Sequence, residues 1–275
     1  MKSYQDVYGD PKPSSIDAVR SGDPWEFSNG EPIFCLPTGK PGAKGTWLGA
    51  EVIGSDPAVE DVGIDAGFKP DALTLRAPDV SIIPAGDETG FIEGVPPLAI
   101  EYADRGQDEI DLRVKIHEFL THGTRYVWVV RINGPRRVEV HEPGKAVRTL
   151  TAGEYLEAPG LLKNAVPVEA LYDRKTAHEV TFRNLLQRKG YQSLEDVHEE
   201  GKAVGLSQGL SQGLSQGLQE GLALTARLLL TVLLGRGLTV SDAHCERILS
   251  CTDKEQLTRW VERATTCTDV AELLQ

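Results

Sequence analysis

Cysteine is scarce in this chain of 275 residues: there are four, Cys35, Cys245, Cys251 and Cys267, and none form a CxxC pair. So sparse a set excludes a disulfide framework and a zinc ribbon, and it reads as reduced thiols of a cytoplasmic protein. Long apolar runs are missing too. The greasiest stretch, residues 222–235, is broken by Arg227 and falls short of the roughly 18 uncharged apolar residues that suggest a membrane span. The opening MKSYQDVYGD lacks the apolar core of a secretory signal. A cytoplasmic chain with no membrane partner is therefore expected. Positive charge is outweighed: 29 Lys and Arg against 41 Asp and Glu leave a formal net charge of −12. That balance counts against casual binding to nucleic acid, because phosphate contacts need local positive charge, but bulk charge does not settle the question. A bound divalent cation would supply part of that charge at one point.

What is present is ordinary for a folded protein, with 40% hydrophobic and 25% charged residues. The length suits one large domain with an appendage. Residues 1–22 read as a polar N-terminal arm. In WEFSNGEPIF two short runs flank Asn29-Gly30, a strong hairpin signal. After the turn-rich PTGKPGAKG a helix is expected over 46–53. Residues 62–68 and 72–76 read as a strand pair. The strand 79–83 ends at Pro84, and Pro96-Pro97 lead into the strand 98–103. Residues 108–122 are an amphipathic helix with Asp108 as N-cap and Leu112, Ile116, Phe119 and Leu120 on its core face. The wholly apolar YVWVV, 126–130, is a strand buried on both faces, and RVEVH alternates as a half-exposed strand does.

In this layout Asp79 opens one strand, Glu101 lies near the end of another and Lys115 follows on the helix. Strand ends and helix flanks are where side chains converge on a cleft while the strands stay buried. Two carboxylates and a lysine so placed suit a metal-dependent phosphodiesterase site. Mg²⁺ or Mn²⁺ would sit on Asp79, Glu101 and the Tyr102 carbonyl, with Lys115 against developing negative charge. Glu51 on the early helix and Asp111, one helical turn before Lys115, are additional candidates; Asp111 alternatively pairs only with Lys115. Arg105, Arg113, Arg136 and Arg137 are candidate contacts to nucleic acid, in company with Arg125 and Arg131.

The arrangement Pro78-Asp79, Glu101 and Lys115 resembles the PD-(D/E)xK superfamily, although Ala103 stands where the lysine two residues after the glutamate is usual. Within it, Glu101, Asp111 and Lys115, the run LRVKIHEFLTHGTRYVWVV, and NGEPIF, RAPDV, RRVEVHEPG and VPVEALYD resemble the Uma-two family of restriction-endonuclease-like bacterial proteins. The likeness spans roughly Trp25 to Asp173. Asp104-Arg105-Gly106 replaces the Ser-Pro-Ser common after the glutamate, Phe119 a tyrosine, and Arg131 an aspartate. The resemblance implies an α+β (α/β) fold, a restriction-endonuclease-like mixed sheet with flanking helices. It implies a Mg²⁺-dependent endonuclease acting on nucleic acid, with DNA the expected substrate, in defence or mobile-element biology.

From Gly201 the chain repeats every four residues as GLSQ-like units, with glycines at 201, 205, 209, 213, 217 and 221 and leucines at 206, 210, 214, 218 and 222. On a helix each set advances about 40° per step. A flexible Gly/Ser linker is the alternative, but leucine in every repeat argues for a packed helix joining copies into a homodimer or higher homo-oligomer. The expected organisation is an arm (1–22), a nuclease-like domain (23–175), a helical connector (176–200), the Gly-Leu helix (201–234) and a helical tail (235–275). Ser241 and Thr252 read as N-caps in the tail. The competing functional reading is a catalytically weak nuclease fold serving as an oligomerising interaction scaffold.

Overall fold

The computed structural model describes residues 12–86, 89–104 and 108–275. The chain divides into two compact units, one running through Leu194 and the other starting at Glu195.

The first unit is built on a six-stranded sheet in the order β11-β10-β9-β8-β6-β3. Its strands are β3 (Asp61–Ile64), β6 (Val80–Ile83), β8 (Leu98–Ala103), β9 (Tyr126–Arg131), β10 (Arg137–His141) and β11 (Arg148–Thr151). All neighbours are antiparallel except β8 and β9, which run parallel. Parallel strands need a crossover, and here it is the helix α2 (Glu109–Thr121). Asp108 caps α2, its Oδ1 accepting from the amides of Ile110 and Asp111 at 2.9 and 3.1 Å, and Gly123, at φ 112°, turns the chain out of it. Every residue of β8 is buried.

Strand alternation divides the core in two. Ile100, Tyr102, Trp128, Val130, Val138 and Val140 face α1 (Lys40–Ser55), a 3-10 turn at Val168–Leu171 and α3 (Arg174–Arg188). Ala99, Ala103, Val127 and Val129 face α2, which answers with Leu112, Ile116 and Phe119. A second sheet, β2-β1-β5-β4-β7, comprises β1 (Trp25–Ser28), β2 (Glu31–Phe34), β4 (Phe68–Asp71), β5 (Thr74–Arg76) and β7 (Ile92–Glu93). Asn29 and Gly30 join its first two strands, both with positive φ (49° and 82°), as the tight hairpin requires. Ile16 and Val19, from the expected arm, are buried against Trp25, Phe27 and Leu75. A small pair, β12 (Tyr155–Leu156) and β13 (Val166–Pro167), completes this unit's strands among the described residues.

Two expectations need correction here. The helix α1 begins at Lys40, inside the glycine-rich run read as turns. Its Gly45 and Gly49 lie against the Tyr102 ring, where an added Cβ would come within 2.5 and 2.4 Å of ring and hydroxyl atoms. Those glycines permit close approach of helix to sheet rather than a turn. The strand pair expected at 62–76 is three strands: β3 joins β6 in the large sheet, and the local pair is β4 with β5.

The second unit contains most of α4 (Leu194–Gly235), followed by α5 (Asp242–Leu249), α6 (Lys254–Arg263) and α7 (Val270–Leu273). Ala226, Leu229 and Leu233 of α4 pack with Ile248, Leu257, Trp260, Ala264 and Leu273. Ser241 caps α5 as expected, but α6 is capped by Asp253 and not Thr252. The repeat is helical over its whole length. Leu206, Leu210, Leu214 and Leu218 are exposed, and no atom lies within 4 Å of a Cβ built on any glycine from Gly201 to Gly221. Among the described residues α4 is the one helix long and apolar enough, by length and composition, to cross a membrane, at a mean hydropathy of 1.4.

Candidate active site

The centre of interest lies where β6 and β8 meet, on the face covered by α2. These strands pair Ser81 with Ala99 and Val80 with Ile100, and one further step sets Asp79 opposite Glu101. Cross-strand neighbours in this position share a face and lie close. Glu101 alternates with Ala99 and Ala103, which touch α2, so its carboxylate is directed to that side. Asp79 Oδ2 accepts the Tyr102 amide at 2.5 Å. The Ala103 carbonyl accepts from Ile132 on the β9 side. By alternation, the Tyr102 carbonyl is turned the other way, toward Asp79. The Tyr102 side chain points to the opposite face and donates to the Leu171 carbonyl at 3.0 Å, which anchors this part of β8.

Lys115 comes from α2. Its Nζ lies 3.0 Å from Glu101 Oε1 and 3.1 Å from Glu26 Oε1, and donates to the Ala77 carbonyl at 2.7 Å. Glu26, on β1, is thus a third carboxylate at the centre. Its other oxygen lies 3.0 Å from Nη1 of Arg76. Arg76 is 0% exposed and is held also by Glu118, 2.5 Å from its Nε, and by Asp111, 3.3 Å from both terminal nitrogens. Ser28 donates its hydroxyl to Glu118. A buried cation is tolerated only when paired and hydrogen-bonded, and Arg76 meets both conditions.

The charges in this cluster do not balance. Two cations, Arg76 and Lys115, face five carboxylates: Glu26, Asp79, Glu101, Asp111 and Glu118. Burial pushes the Glu101 carboxyl up to about 8; Lys115 opposes this, while Asp79 and Glu26 add to it. Burial likewise raises Asp79, against the pull of Lys115 and of the Tyr102 amide. For Lys115 burial works against the charge, but Glu101, Glu26 and Asp79 overcome it and hold the ammonium well above its usual range. Glu26 is lowered despite its burial, by Lys115 and Arg76.

These features fit a hard divalent cation. Glu101 Oε1 is buried and, beyond its ion pair with Lys115, has no hydrogen-bond partner. No three His, Cys, Asp or Glu side chains among the described residues form a cation cage. The groups here that could hold such an ion are the Asp79 and Glu101 carboxylates and the Tyr102 main-chain carbonyl, a small oxygen set of the kind Mg²⁺ accepts because it retains several waters.

Other expected residues lie elsewhere. Glu51 is on the opposite face of the sheet, its Oε2 4.0 Å from His178 Nε2, and does not join the cluster. Asp111 does join, but through Arg76 and not Lys115. Arg113 and Arg137 line a cavity of about 440 Å³ with Glu109, Arg131, Glu139 and His141. There Arg131 is neutralised by Glu109 and Glu139, and Arg137 lies 3.2 Å from Glu139. Arg136 is at a second cavity, over the Tyr172 ring. Arg105 lies outside the described residues. Sequence reasoning missed Glu26, Arg76 and Glu118. The available signal was an acid between Trp25 and Phe27 in a strand, and a second acid three residues after Lys115 on the same helix.

A family model described as Uma2, putative restriction endonuclease, matches residues 15–171. Among solved structures, the crystal structure of a putative nuclease belonging to DUF820 from Anabaena variabilis ATCC 29413 is similar in fold. It has a TM-score of 0.51 and 18% identity, over 60% of this chain and 99% of that one. No curated protein matches.

Proposed function

From a chain that belongs to the Uma2 family of putative restriction endonucleases and has a restriction-endonuclease-like fold, we propose an enzyme that hydrolyses phosphodiester bonds in DNA with a divalent cation. Asp79, Glu101 and the Tyr102 carbonyl would hold Mg²⁺ or Mn²⁺. When bound, such an ion polarises a phosphate and lowers the pKa of a coordinated water. Lys115 stabilises negative charge developing on the phosphate oxygens, a task that needs a charged ammonium, and Glu101 and Glu26 keep it charged. Glu26 fixes the position of Lys115 and ties it to Arg76, which in turn holds α2 through Asp111 and Glu118. The observation that carries this reading is the meeting of Glu101 and Lys115, 3.0 Å apart in a buried cluster with a surplus of carboxylate. The test is Mg²⁺-dependent cleavage by the wild type set against Glu101→Ala, Asp79→Ala and Lys115→Ala.

A second reading is favoured by α4. Its exposed leucines and open glycines suit a second copy of the chain, making a homodimer or higher oligomer. If cleavage is absent, the nuclease fold acts as a scaffold assembled through that helix. Light scattering on the full chain and on a chain ending at Gly190 tests the assembly.

A further inference from the structure

The cavity at the start of α1 is lined by Lys40, Pro41, Lys44, Gly45, Ile132, Arg136 and Tyr172, and has a volume of about 250 Å³. In a chain of net charge −12 it is a cationic pocket: three of its lining side chains are basic and none is acidic. Carboxylates stay at its margin. Asp104 approaches Gly39, and Asp173 is in electrostatic range of Lys44 while capping α3. Lys40, Lys44 and Arg136 are exposed, and among the described residues none of them has a carboxylate within ion-pair distance.

Local structure works against this placement of charge. The first turn of α1 contains no acid, its cap residue Gly39 makes no side-chain bond to the helix amides, and two lysines lie in its first five residues. Lysine at a helix N-terminus opposes the macrodipole, a position that suits anions. Arg136 lies 5.0 Å over the Tyr172 ring. Among the described residues Arg136 makes no ion pair, and a guanidinium can meet phosphate through a planar, two-pronged contact. The cavity lies by the end of β8, on the sheet face that carries the Tyr102 ring and opposite the face of Glu101. Gly45 of its lining is the residue against which the Tyr102 ring packs, and Ile132 donates to the carbonyl of Ala103, two residues after Glu101.

We propose that this cavity is a phosphate-binding subsite for the DNA backbone, gripping the strand beyond the scissile bond. The proposal rests on the nuclease reading for its ligand class, but its test is separate. Binding of a fluorescent DNA duplex to the full chain would be measured in EDTA, over a series of salt concentrations. The cavity variant is Lys40→Gln with Lys44→Gln and Arg136→Gln, and a control of equal charge change is Lys175→Gln with Lys202→Gln and Lys254→Gln. The cavity variant is expected to bind about tenfold or more weakly, with a salt slope shallower by about two to three, while the control binds as the wild type does. Melting temperatures within about 2 °C of wild type would show both variants folded. Equal binding by the cavity variant, or equal weakening by both variants, overturns the subsite and leaves the nuclease reading standing. Cavity-dependent binding without Mg²⁺-dependent cleavage supports the subsite and sinks the nuclease reading. A wild type that binds no DNA overturns the subsite.

Discussion

Arg76 shows how much of this centre depends on single side chains. It is wholly buried among Glu26, Glu118 and Asp111, so Arg76→Met leaves Glu118 and Asp111 without their cation and Glu26 with Lys115 alone. Breaking a buried pair from one side costs about 3–5 kcal/mol, and urea denaturation is expected to show a loss of that size. Glu101 gives a prediction about pH. Its folded pKa of about 8 lies above its usual 4.5, so the native protein binds the extra proton. Stability of the metal-free chain should therefore fall as pH rises from about 4.5 to about 8. Melting curves across that range should show the slope in the wild type and lose that part of it in Glu101→Gln; an unchanged slope would contradict the assignment. At this scale the sequence was half legible. Asp79, Glu101 and Lys115 stood out because they punctuate apolar elements. Glu26 and Arg76 did not, because 50 residues separate these partners, and only the long-range pairing of β1 with β5, which sets Phe27 opposite Leu75 and so Glu26 opposite Arg76, brings them together.

Among the elements, α1 comes close to β8 through its glycines. Gly45→Ala adds a Cβ 2.5 Å from ring atoms of the buried Tyr102. Helix propensity favours the change by about 1 kcal/mol, but overpacking costs about 1–3 kcal/mol. Thermal melting should show Gly45→Ala neutral to destabilised. Gly54→Ala, whose nearest neighbour would be Val62 at 3.5 Å, should be neutral or stabilised. The strand-helix-strand order β8, α2, β9 was readable from hydrophobic period, caps and Gly123. The start of α1 was not, since glycines that admit a neighbouring ring look in sequence like glycines that make turns. The partner of β3 was equally hidden: its four residues pair with β6, and nothing local announces a long-range partner.

At the scale of the whole molecule, the chain joins a nuclease-like unit to a helical one whose repeat leaves its leucines uncovered. Six helical glycines cost about 1 kcal/mol each relative to alanine, so burial of the leucine strip against a second copy is expected to stabilise α4. In detergent-free buffer at micromolar concentration, light scattering should give a dimer or larger for the full chain and a monomer for the chain ending at Gly190. A monomeric full chain, or a truncated chain that still associates, would remove α4 as the assembling element. A nuclease assay on the full chain tests the chemistry of the buried cluster. Linear and supercoiled DNA would be incubated with Mg²⁺, with Mn²⁺ or with EDTA, comparing the wild type with Glu101→Ala. Cleavage that needs the metal and falls by at least a hundredfold, roughly the scale of a lost transition-state contact, is the predicted result. Cleavage by Glu101→Ala near the wild-type rate, or none by the wild type with either metal, would contradict it.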